Sequence, residues 1–373
     1  MRIYVTLLLS VALSLPMTAC SEKSTGVDIE GVGTHKKEQV NIIGKVTCEG
    51  KGIANAVVSD GVEVVKTSDN GEYSFLSKKK YGYVFISIPS GYEAAIIGNQ
   101  PQFFKHLATK DTNITEKVDF ELNKENNEKH AVLAMADFHL AKRNNDINQF
   151  ESVAADINQT AQELRSQGYK VYGISLGDES WDGFWYSNNY GIKETFQELQ
   201  KIEIPFFHCM GNHDNDPYFP DDRKAEDEWI KNCGPVYYSF NAGNVHYIII
   251  DDIQYLNAGA SLGTVGKRNY NETVIPEELA WLKKDLASIQ DKNTPIMVAT
   301  HAPLYSNPKL GGNQEIDDNN LQNTGEIEAL FADFTNVHFL SGHTHVNYNV
   351  QKRNNIREHN TAAICATWWW TGK

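Results

Sequence analysis

Five apolar runs of strand length each end in a short cluster of Asp, His or Asn, and no other feature limits the possible folds so tightly. The runs span residues 131–136, 171–176, 205–210, 295–300 and 337–340. In order they deliver Asp137-Phe138-His139, Gly177-Asp178, Gly211-Asn212-His213-Asp214, His301 and Gly342-His343-Thr344-His345. A sixth run, 245–250, ends in Asp251-Asp252. Amphipathic segments of helical length lie between them at 147–167, 193–201, 276–290 and 325–332. Strands alternating with helices predict βα units stacked around a sheet. Pro276 suits the first turn of its helix, where a missing N–H costs nothing. Ligand sites of open α/β sheets lie beyond the carboxyl ends of the strands, so the five clusters should converge on one face.

That residue set has a chemical meaning. Carboxylate oxygen, imidazole nitrogen and amide carbonyl together suit Mn, Fe, Zn or Co. A carboxylate can bridge two such ions, and ions ~3.5–4 Å apart can clamp the attacking and leaving oxygens of a phosphoryl displacement. Glycine before Asp178, Asn212 and His343 permits tight turns and close backbone approach. Each block alone is a weak signal; all five in this order, each after an apolar run, form a specific one.

On these blocks, residues 130–373 resemble the calcineurin-like metallophosphoesterase superfamily, whose signature is D-x-H, G-D, G-N-H-[DE], H and G-H-x-H. The resemblance implies an α/β fold, a metallophosphoesterase-type mixed β-sandwich flanked by helices, with two divalent metal ions on one rim. It implies that Asp137, His139 and His345 hold the first ion, that Asp178 bridges both, and that Asn212, His301 and His343 complete the second. The implied activity is hydrolysis of phosphate esters by hydroxide generated on the metal pair. His213 matches the family's non-ligand histidine, which stabilises charge on the phosphate or protonates the leaving oxygen, and Asp214 is expected to orient it. The motifs supply no Lys or Arg clamp. One position departs from a branch of the family. In purple acid phosphatases a tyrosine three residues after the bridging Asp ligates iron; here that residue is Trp181, whose indole N–H cannot ligate. Relatives also often carry a β-rich domain after the region matching 364–370, so a missing C-terminal β-domain is expected.

Upstream, residues 40–123 alternate β-branched and aromatic runs with turn signals such as Asp60-Gly61, Asp69-Asn70-Gly71 and Ser90-Gly91, which predicts a small all-β sandwich. Gly44-Lys45-Val46 and the runs at 56–61 and 67–73 resemble the transthyretin-like or carboxypeptidase-regulatory-like module. It holds no nucleophile or metal cluster, so a structural role is expected, and the polar stretch 124–130 reads as a linker. Residues 1–20 combine Arg2 with an apolar run too short to span a bilayer but suited to a secretory signal. The stretch Leu15-Pro16-Met17-Thr18-Ala19-Cys20 resembles a bacterial lipobox. That implies a cleaved lipoprotein signal peptide, Cys20 as the lipid attachment site, a membrane anchor, and a flexible tether over 21–39. The expected location is the bacterial envelope, on its periplasmic or outer-membrane face.

Composition excludes several other classes. A net charge of −14 leaves no nucleic-acid footprint. Hydrophobic and charged fractions of 41% and 22% are those of ordinary globular proteins. Five cysteines over 373 residues are too few for a disulfide scaffold. Expected partners are a phosphorylated small molecule or a lipid-linked substrate. The rival readings are a phosphodiesterase or pyrophosphatase on a lipid- or nucleotide-linked substrate, and a non-catalytic envelope binding protein that keeps the fold. Three local features stay open. Trp181, Trp185, Tyr186 and Tyr190 read as a mini-core or as a stacking wall. Residues 257–270 read as a lid or as a disordered segment. Asp251-Asp252 read as supports for the site or as a solvated turn.

Overall fold

Short alternating strands open the fold. The computed structural model describes residues 39–306, 320–365 and 369. The expected signal peptide, Cys20 and the tether up to residue 38 lie outside the described residues, as do Trp368 and Trp370. The strand Ile42–Cys48 runs antiparallel to Glu72–Phe75 and parallel to Phe120–Lys124, with Tyr92–Ala94 beyond. In Glu72–Phe75 the side chains alternate, so Tyr73 and Phe75 turn inward while Glu72 and Ser74 face water. A second sheet orders Phe104–His106, Tyr83–Ser87, Val57–Ser59 and Val64–Lys66. The N-terminal region is therefore all-β, as the sequence predicts.

The following α/β region contains two sheets. A parallel sheet of three strands pairs His130–Met135 with Lys170–Ser175 and then Phe206–Phe207. A mixed sheet orders Tyr238–Ala242, Val245–Ile249, Ile296–Ala299, Val337–Ser341, Ile356–Asn360 and Tyr348–Val350. Helix Asp146–Ser166 buries Phe150, Ala154, Ile157 and Ala161, one stripe at helical spacing. Phe138 and Phe206 meet Phe150 or each other edge-on beneath it. Helix Pro276–Ala287 starts on its proline and buries Trp281, Leu282 and Leu286. Burying each such side chain stabilises the fold by ~1.5–3 kcal/mol.

The two regions share one core, which runs from Ile42 through Phe85, Tyr237 and Trp281 to Ile356. Polar contacts cross the same boundary. Trp281 Nε1 donates to Ser59 Oγ at 3.1 Å, and Tyr237 Oη donates to the Gly61 carbonyl at 2.7 Å. The stretch expected as a linker is anchored at one residue. Asn127 is buried, and its side-chain oxygen accepts the N–H groups of Gly91 and Gly243, each at 3.1 Å.

Candidate metal centre

Each site residue sits just beyond a strand and is aimed by backbone contacts to the neighbouring loop. After Met135, the N–H groups of Asp137, His139 and Leu140 donate to the carbonyls of Gly177, Asp178 and Glu179 at 2.9–3.0 Å. The two loops thus run side by side, and the D-x-H alternation turns Phe138 into the core while Asp137 and His139 face the rim. Asp137, His139, Asp178, His343 and His345 all adopt left-handed backbone, with φ between 48° and 65°. Such conformations cost ~1–3 kcal/mol each for non-glycine residues and cluster at functional sites. Two glycines make the crowding possible. A Cβ on Gly177 (φ 87°) would stand 2.4 Å from His301 Nδ1, and one on Gly211 would stand 2.3 Å from the Asp178 nitrogen.

The seven expected ligands converge. Asp137, His139 and His345 form one group whose ligand atoms lie within 4.8 Å of one another, and Asp178, His301 and His343 form a second. His139 Nε2 and His345 Nε2 are 3.1 Å apart, and His345 Nε2 is 3.3 Å from Asp137 Oδ1. Asp178 Oδ2 lies 3.9 Å from His139 Nε2 and 3.3 Å from His301 Nε2, between the groups. Asn212 Oδ1 is 2.9 Å and His343 Nδ1 3.0 Å from His301 Nε2. Ligand atoms bound ~2.1 Å from one ion at right angles lie about 3 Å apart, so these spacings fit first-row metals. The donor set is nitrogen and oxygen without thiolate, which again suits such ions.

Outer contacts orient the ligands. His301 Nδ1 donates to the Leu176 carbonyl at 2.8 Å, which leaves Nε2 for the cluster, and Asp252 accepts the His301 N–H at 3.2 Å. Glu272 Oε1 stands 3.2 Å from His343 Nε2, so His343 presents Nδ1. Burial disfavours charge on His301, but the Asp178 carboxylate outweighs it and holds the imidazole up to about 10. Burial keeps the His139 ring well below the ordinary range. A buried carboxyl, Glu358, accepts the N–H groups of Leu304 and Tyr305 and the Ser341 hydroxyl at 2.7–2.8 Å. It therefore ties together the loops that carry His301 and His343.

His213 and Asp214 need separating. The His213 N–H donates to Asp178 Oδ1 at 2.8 Å, and its ring packs against His139 with centroids 5.3 Å apart. Its ligand atom also falls within 4.8 Å of those of His139 and Asp178. Its Nδ1, however, pairs with Asp182 Oδ1 at 2.8 Å, not with Asp214. This corrects the expectation that Asp214 orients His213. Asp214 is buried and accepts the N–H groups of Glu179, Ser180 and Gly211 at 2.8–3.2 Å, so it shapes the loops. Burial first, then the charges of Asp178 and Glu179, push its carboxyl up to about 8.

Sequence reasoning missed Asp182, Arg268 and Glu272. Asp182 Oδ1 also receives Arg268 Nη1 at 2.8 Å, and Oδ2 receives Tyr255 Oη at 3.1 Å. The carboxylate pattern after Asp178 was the available signal for Asp182; nothing local marks Arg268 or Glu272. The open features also resolve. Trp185 and Tyr190 are buried in two different apolar clusters rather than in a mini-core of their own, whereas Trp181 faces the rings of His139 and His213, with centroids 5.4 and 5.8 Å away. Residues 257–270 form an ordered hairpin connection, with a bridge between Ser261 and Thr264. Asp251 and Asp252 are buried, so a solvated turn is excluded.

Comparison with known proteins agrees with this geometry. Residues 130–347 match the calcineurin-like phosphoesterase family, and residues 40–125 match the N-terminal region of calcineurin-like phosphoesterases. Purple acid phosphatase 23 of Arabidopsis thaliana is 31% identical over 110 residues, 30% of this chain and 20% of that protein. Purple acid phosphatase 15 of the same plant is 38% identical over 72 residues, 19% of this chain and 10% of that protein. The matches thus span a fifth or less of those relatives' lengths. Among solved structures, a dimetal phosphatase from Danio rerio gives a TM-score of 0.44 at 14% identity, covering 62% of this chain and 87% of that one. Phosphopantetheinyl hydrolase from Mycobacterium tuberculosis gives 0.41 at 14% identity, covering 64% and 91%. With more than half its length matched, the chain belongs to the calcineurin-like phosphoesterases, and its candidate ligands lie on one rim.

Proposed function

We propose that this chain hydrolyses phosphate esters at a two-metal centre in which Asp137, His139 and His345 hold one ion, Asn212, His301 and His343 the other, and Asp178 both. The observation that carries this reading is the position of Asp178 Oδ2 between the two ligand groups. When bound, the ions would supply Lewis acidity to phosphoryl oxygens and lower the pKa of water toward ~7. The protein's own part is positioning and proton transfer. Asp182 accepts from His213 Nδ1 and so leaves Nε2 as the nitrogen that can hand a proton to the leaving oxygen. Tyr255, Arg268 and the Gly183 N–H also donate to the Asp182 carboxylate and fix its rotamer. Asp178 holds the His213 backbone, so the proton donor and the shared ligand move as one unit.

The test is hydrolysis of p-nitrophenyl phosphate and bis-p-nitrophenyl phosphate by protein loaded with Mn, with and without EDTA. Metal-dependent cleavage of either supports the reading; two bound ions per chain with no cleavage of either opposes it. The lipobox-like stretch ending at Cys20 supports an exported, lipid-anchored enzyme. Membrane fractionation of cells making the natural chain or a Cys20→Ala variant tests that location, with release of the variant expected.

A further inference from the structure

One hairpin turns a whole face to the metal centre. Its strands Ile253–Tyr255 and Tyr270–Glu272 pair antiparallel, with Tyr255 opposite Tyr270 and Ile253 opposite Glu272. Alternation sends these four side chains to one face and Gln254 and Asn271 to the other. The outer face closes on itself, since Asn271 Nδ2 donates to Gln254 Oε1 at 3.1 Å. The inner face reaches the centre at two points. Tyr255 Oη donates to Asp182 Oδ2 at 3.1 Å, on the carboxylate that holds His213. Glu272 Oε1 stands 3.2 Å from His343 Nε2. Tyr270 lies on this face between those two residues, and its ring meets the His343 ring edge-on, with centroids 6.1 Å apart and planes at 82°. Burial first, then the carboxylates of Asp178, Glu272 and Asp182, raise its hydroxyl above the ordinary range, so the shared ligand and the partner of His213 both lie near it.

Tyr255 and Glu272 each end on a partner in the centre, but Tyr270 does not. Its side chain is half-buried, and among the described residues its hydroxyl makes no hydrogen bond. Tyrosine hydroxyls out of bulk water usually find a partner. Packing on His343 needs only a ring, so the hydroxyl calls for a partner from outside the chain. A phosphoryl group that contacts the metal pair and takes a proton from His213 must lie between Asp178 and the Asp182–His213 pair, and Tyr270 flanks that interval. A phenol keeps its proton at neutral pH, with an ordinary pKa of ~10, and so offers an anion a donor without a charge. We propose that the Tyr270 hydroxyl donates a hydrogen bond to a non-bridging oxygen of the substrate's phosphoryl group, as a neutral counterpart of the cationic clamp that the motifs lack. This rests on the phosphoesterase reading above. No proton is transferred; the bond holds the phosphoryl group in place while His213 serves the leaving oxygen.

The experiment uses Tyr270→Phe, which keeps the ring on His343 and removes only the hydroxyl. On the Mn-loaded full chain, kcat/KM for p-nitrophenyl phosphate should fall ~10- to 100-fold, the worth of one hydrogen bond to a charged group. Inorganic phosphate should bind at least ~10-fold more weakly by titration calorimetry, for the same reason. Metal content and melting temperature should match those of the natural chain. An unchanged value of either kcat/KM or phosphate affinity overturns the proposal and leaves Tyr270 as packing for His343. A fall in both that comes with loss of metal also overturns it, because the residue then acts through that ligand. A natural chain that binds two ions and cleaves neither p-nitrophenyl phosphate nor bis-p-nitrophenyl phosphate overturns the phosphoesterase reading. Phosphate affinity then decides the proposal alone: weaker binding by Tyr270→Phe supports the contact, and equal binding, or none by either chain, overturns it.

Discussion

Asp178 has the most demanding position of any side chain in the centre, because it touches both ligand groups and holds the His213 N–H. Asp178→Asn should therefore lose both metal and activity, checked by elemental analysis and by aryl phosphate hydrolysis. His213→Ala should retain metal and lose turnover by ~10²–10⁴, the usual worth of a positioned proton donor. Asp182→Asn should lose less than that, with unchanged metal content, since the amide oxygen can still accept from His213 Nδ1 while the charge that faces His213 and Arg268 is lost. Asp214 belongs to a different category. Asp214→Ala would leave three buried N–H groups without their acceptor. At ~1–3 kcal/mol for each unpaired group, the variant should melt well below the natural chain. Two neighbouring residues of one motif thus fail in different assays, one in turnover and the other in stability.

At the scale of elements, what could be read from the sequence was what repeats. The runs at 131–136 and 171–176 appear as His130–Met135 and Lys170–Ser175, and the helix predicted at 147–167 as Asp146–Ser166. Apolar periodicity reports burial against a layer, so it finds elements with one clear apolar face. It does not find Ile356–Asn360, where Glu358 and Asn360 are buried for the hydrogen bonds they make to adjoining loops. Nor does it find Arg268 and Glu272, which reach the centre from a hairpin whose place depends on the whole chain. The strand bearing Glu358 supports a prediction of its own. Glu358→Gln turns an amide N–H against one of the two backbone N–H groups that the two carboxylate oxygens now accept separately. It should weaken metal retention in a chelator titration more than it lowers the melting temperature, because both loops it joins carry ligands.

Across the whole molecule, buried acids set the response to pH. Burial, then Asp222, pushes the Glu226 carboxyl up to about 8; burial, then the Asp221 charge, pushes Asp222 to about 6. Burial raises Glu358 to about 7. Each of these groups holds its proton more tightly folded than unfolded. Their stabilisation is complete below pH ~4 and is lost as pH rises through those values. Metal-free protein should accordingly melt several degrees lower at pH 9 than at pH 6, by calorimetry. The same scan should show one transition, because the core of the N-terminal sheets is continuous with that around Trp281. The junction near residue 125, where one family match gives way to the next, is thus a border in descent and not in cohesion. A chimera with its front half from a distant relative would keep that single transition only if the new half offered hydroxyls at positions 59 and 87 to Trp281 and Ser239 and a carbonyl at 61 to Tyr237.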